Sequence, residues 1–127
     1  MQQKHLYEYA VVRIVPVVER EEFVNAGVIL FCKKERFLQM RYHIREDRIL
    51  ALMPDADLDE VRDNLDAFRK IAAGENEGGP IACLDEAERF RWLTAVRSAS
   101  IQTSRPHPGV SDDLKKTIDT LFSEMVG

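Results

Sequence analysis

VNAGVILFC (24–32) is apolar on both of its alternations. A strand with one wet face carries a polar residue at every second place, so this one belongs inside a sheet covered on both sides. Upstream, residues 7–15 are rich in aromatic and β-branched types and end at Pro16, which has no N–H for a sheet ladder. Downstream, Lys33, Lys34, Glu35 and Arg36 make a charged turn. Residues 37–44 then return as a third strand, with Leu38, Met40, Tyr42 and Ile44 on one face and Gln39, Arg41 and His43 on the other. Connections this short predict an antiparallel meander.

Beyond the meander the period changes. Residues 47–53 fit either a helical turn or a short strand, closed by Pro54. Leu58, Val61, Leu65, Phe68 and Ala72 then recur at steps of three and four, which draws one apolar stripe along a helix. Asp55, Asp57, Asp59 and Glu60 crowd its start and Arg69 and Lys70 its end, complementing the helix dipole, and Gly74 suits a left-handed cap. A second helix starts at Asp85, whose carboxylate caps while Glu88 answers three residues later. Residues 98–104 read as a short edge strand ended by Pro106 and Pro108. A terminal helix follows Ser111, Asp112 and Asp113 and buries Leu114, Ile118, Leu121, Phe122 and Met125. Strands first and helices later predict an α+β fold: an antiparallel sheet, a three-strand meander plus a short fourth strand, covered by two or three helices.

The chain has 127 residues, a length that predicts one domain over 1–127, and ENEGGP (75–80) is too short a connector to separate two. A hydrophobic share of 45% excludes intrinsic disorder. A mean hydropathy of −0.29 without a long apolar run argues against a membrane span. A net charge of −4 argues against a wholly basic nucleic-acid binder. The N-terminal MQQKHLYEYA has no apolar signal-peptide core, so a cytoplasmic location is expected. Cys32 and Cys83 lie far apart without a CxxC, which reads as two buried thiols in a reducing compartment.

Charge is unevenly spread. Residues 89–111 hold Arg89, Arg91, Arg97, Arg105 and His107 but no acid, leaving 14 basic against 22 acidic residues elsewhere, a balance of −8. With Trp92 and several hydroxyls, such a strip suits a phosphate group gripped by arginine forks. It also suits arginines paired to the surplus carboxylates of neighbouring elements. Asn25 and Gly27 interrupt the apolar strand on one of its faces. Glycine inside a strand marks a bulge or a close approach by ligand or backbone, and Arg13 faces Asn25 if the first two strands pair in that register. The bland reading has Asn25 serving a local backbone group and Gly27 admitting a bulky core residue.

No catalytic constellation emerges. His5, His43 and His107 lack metal-ligand spacing, so no metal is expected. The nucleophile elbow and the nucleotide-binding glycine loops are absent, and no cofactor is implied. His107, beside Arg105 in a proline-flanked loop, and Glu22 are the acid–base candidates.

Three stretches together, YEYAVVRIVP (7–16), EEFVNAGVILF (21–31) and ERFRWLTAVRSASIQTSRPHPG (88–109), resemble the bacterial family called domain of unknown function 3037. The matching positions include Glu22, Asn25, Gly27, Arg91, Trp92, Arg97, Gln102, Thr103 and His107; Arg105 falls at a more variable place. Members of that family often lie beside genes for serine/threonine kinases of toxin–antitoxin type, so the resemblance implies a kinase-like protein partner. Two functions follow as expectations. One is a non-catalytic binding or accessory protein, with self-association admitted. The other is an enzyme or sensor for a phosphate-bearing ligand, nucleotide or nucleic acid, in which Arg13, Arg91, Arg97 and His107 converge with Asn25, Gly27, Gln102, Trp92 and Glu22 on one cleft.

Overall fold

The fold is assembled on β1 (His5–Ile14). It takes β2 (Val24–Cys32) along one edge and two short strands, β4 (Ile101–Thr103) and β5 (His107–Ser111), end to end along the other; β3 (Phe37–Tyr42) pairs beyond β2. Every pairing is antiparallel. The computed structural model describes residues 4–95 and 99–126.

Both faces of β2 are covered, which is why its sequence shows no polar alternation. On one face Val12, Ile14, Ile29, Phe31, Leu38 and Met40 form a core with residues of α2 (Leu58–Ala73) and α3 (Glu86–Leu93), and the Phe31 and Phe90 rings stack at 5.0 Å. On the other, Val28, Leu30 and Cys32 meet Leu114, Ile118 and Leu121 of α4 (Leu114–Met125). Burying one such leucine or isoleucine contributes about 1.5–3 kcal/mol.

A bulge controls which side chains reach which face. β1 and β2 pair regularly from Glu8 with Phe31 to Val12 with Gly27, and then Ala26 is skipped so that Arg13 meets Asn25. One extra residue reverses the alternation. Val24 and Ala26 therefore share the core of Ile29 and Phe31, while Asn25 turns to the α4 side and its Nδ2 donates to the Met125 carbonyl at 3.1 Å.

Each long helix starts on an aspartate. Asp57, Asp85 and Asp113 accept from the amides of Glu60, Glu88 and Lys116 at 3.1, 2.8 and 3.1 Å. Gly74 ends α2 at φ 73°, a left-handed conformation that glycine adopts without steric cost.

Of the two readings of residues 47–53, the helix holds for all but the last residue: α1 (Glu46–Leu52) buries Ile49. Three expectations need adjusting. The short strand spans Ile101–Thr103, and Ser98 lies outside the described residues. Pro108 does not end the sheet but lies within β5, because an edge strand can turn the missing N–H to solvent. Cys32 is buried but Cys83 is exposed, since Ala82 takes the inward place in the 3-10 turn Pro80–Cys83.

Candidate functional site

Arg13 is the middle of a row across the sheet, with Asn25 opposite it on β2 and Gln102 on β4. Its guanidinium lies over the Phe23 ring, 4.3 Å from the centroid. Among the described residues no carboxylate pairs with it and no acceptor bonds it; Nε is closed to solvent and unpartnered, as is Oδ1 of Asn25. A guanidinium stacked on a ring keeps its in-plane donors available for an anion. Gln102 turns its Nε2 to the Ala99 carbonyl at 3.0 Å.

The other expected members lie elsewhere. A Cβ on Gly27 would stand 2.6 Å from the Arg41 carbonyl oxygen of β3, so the glycine admits a neighbouring strand. Glu22 pairs with Arg20 at 2.6 Å. His107 is opposite Tyr9, ring to ring at 5.3 Å. Tyr9 and Arg13 are four residues apart on β1, about 13 Å at strand rise. Arg91 and Trp92 belong to α3 on the opposite layer, where Trp92 meets Phe68 of α2 at 6.1 Å. Arg89, also in the cationic strip, is buried with Nη1 donating to the Ile71 carbonyl at 3.3 Å, which caps the end of α2. Arg97 lies outside the described residues. The structure thus groups Arg13, Asn25 and Gln102 and separates them from Arg91, Trp92 and His107. Among the described residues no group of three His, Cys, Asp or Glu could hold a metal ion.

A second feature has no counterpart in the sequence reading. Leu6 of β1 and Val110 of β5 are cross-strand partners, 70% and 58% exposed. They share the alternation of Val12 and Ile14 but are not among the residues of the core that buries those two. Lys4, Glu8 and Pro108 frame the pair and are also exposed, and β5 has no strand on its outer side among the described residues. The strand expected over residues 7–15 starts one residue past Leu6, and Val110 falls between the expected fourth strand and the terminal helix.

None of the described helices is long and apolar enough to cross a membrane. A family model described as Protein of unknown function (DUF3037) matches residues 9–126. No curated protein and no solved structure matches the chain.

Proposed function

Because the chain belongs to the DUF3037 family of proteins of unknown function, its role has to be argued from its own surface, and we propose that it is a non-catalytic binding protein that docks a protein partner on the β1–β5 face. The observation that carries this is the Leu6–Val110 pair. Two large aliphatic side chains directly opposite one another stand in water, at the end of a sheet whose other large aliphatic side chains are buried. Patches of this kind, rimmed by polar residues such as Lys4 and Glu8, are the usual core of an interface.

The geometry favours side-chain docking over strand addition. Pro108 supplies no N–H, which interrupts the ladder a partner strand would need along β5. The partner class that the family resemblance suggests is a kinase-like protein. Co-purification with such a kinase-like protein tests the reading. Wild-type chain is expected to form a complex at micromolar concentration, and Leu6→Lys with Val110→Lys is expected to abolish it while the variant stays folded. A chain that forms no complex with the partner contradicts the reading.

A further inference from the structure

β2 outruns β3 at the sheet's lower corner. The last backbone bond between them runs from the His43 amide to the Ala26 carbonyl at 2.8 Å, so β3 has ended where Val24 and Asn25 lie. α1 crosses this gap, and between them opens a cleft of about 380 Å³ lined by Phe23, Val24, Asn25, Arg48, Ala51 and Leu52. From these residues we infer that the cleft binds the free carboxylate end of a peptide whose last side chain is aliphatic.

Charge sets the sign of the ligand. Arg48 is the charged residue of the lining and no acid accompanies it, and behind the Phe23 wall stands the Arg13 guanidinium. Arg48 has no carboxylate and no side-chain hydrogen bond among the described residues, which is equally true of Arg13, whereas Arg20, Arg36, Arg41, Arg45, Arg62 and Arg69 are each paired to an acid. A cleft lined by one unpaired guanidinium and no acid, on a chain of net charge −4, is locally cationic and is complemented by an anion.

The walls set its body. Phe23, Val24, Ala51 and Leu52 are apolar, and the lining offers no hydroxyl. A phosphate dianion would leave most of its oxygens against carbon, a large desolvation cost. A carboxylate needs one guanidinium fork and leaves an aliphatic side chain to fill the rest. The site is distinct from the β1–β5 face: Leu6 and Arg13 are seven residues apart on β1, about 23 Å at strand rise.

Titration of the 127-residue chain with N-acetyl-Ala-Ala-Leu, monitored by backbone amide NMR, tests the inference. The expected result is saturable shifts confined to residues 23–25 and 48–52, and affinity at least tenfold weaker for the C-terminal amide, for inorganic phosphate and for 4-methylpentanoate. Arg48→Gln is expected to weaken the free acid about tenfold with the same amide spectrum elsewhere, the loss of one charge-assisted bond. Equal binding of acid and amide, tighter binding of phosphate, a small acid as tight as the peptide, or shifts outside the cleft would overturn it.

Discussion

Leu6 of β1 lies directly across from Val110 of β5, and both remain mostly in water although each occupies an inward alternation of its strand. Elsewhere on that face the same alternation delivers Val12, Ile14 and Ile101 into the core. Neither Leu6 nor Val110 belongs to that core, so the exposed pair is a property of the tertiary arrangement and not of either strand alone.

Gly27 is expected to be intolerant of a side chain for a reason unrelated to ligand binding. An alanine Cβ would meet the Arg41 carbonyl oxygen at 2.6 Å, and that oxygen belongs to the β3 backbone, which cannot swing aside. Gly27→Ala should cost about 1–3 kcal/mol in urea denaturation. A variant as stable as wild type would mean that β3 is not held against the bulge.

The three helix-capping aspartates should behave independently. Asp57, Asp85 and Asp113 cap different helices, so each alanine substitution is expected to cost about 1 kcal/mol. Their combination should add within about 0.5 kcal/mol. Thermal or chemical denaturation of the single and triple variants reads this directly, and a triple variant no weaker than one single would refute it.

Acid sensitivity is expected to include Asp66. The Arg69 side-chain hydrogen bond, 2.9 Å from Nε to Oδ1, holds its carboxyl below the usual range, with Lys70 assisting and burial opposing. A carboxylate whose folded pKa lies below its unfolded value near 3.9 stabilises the fold above that value and loses the contribution as pH falls through the folded pKa. Because the pair is partly exposed, the effect is modest and weakens in salt. Asp66→Asn should flatten the stability profile on the acid side while changing its slope little above pH 6; an unchanged acid limb would contradict the assignment.

Much of this fold could be read from residue patterns, and the reasons are local. β2 matches its sequence reading residue for residue because double burial leaves an unbroken apolar run. α2 and α3 announce themselves through a 3.6-residue stripe and capping aspartates. What escaped depends on chain packing. Pro106 and Pro108 read as a stop, yet an edge strand runs through Pro108. The Arg13–Asn25 pairing was conditional on register, and it arises because the bulge at Ala26 shifts the strand by one. Arg89 counted towards a surface charge strip but spends its guanidinium on the Ile71 carbonyl at the end of α2, beside Gly74. Arg91 and Trp92, close in sequence to Gln102, lie on the opposite layer because α3 packs with α2 before the chain returns to the sheet edge. Exposure of Leu6 and Val110 could not be seen in either strand alone.

The most direct measurement is a binding titration of the 127-residue chain against a kinase-like protein partner, comparing wild type with Leu6→Lys/Val110→Lys at matched stability. Both substitutions are at the surface, so unfolding free energies should agree within about 0.5 kcal/mol. The account predicts a wild-type complex at micromolar concentration or tighter and at least a tenfold loss of affinity in the variant, the effect of placing two charges in the apolar centre of an interface. Undiminished binding by the variant would contradict it.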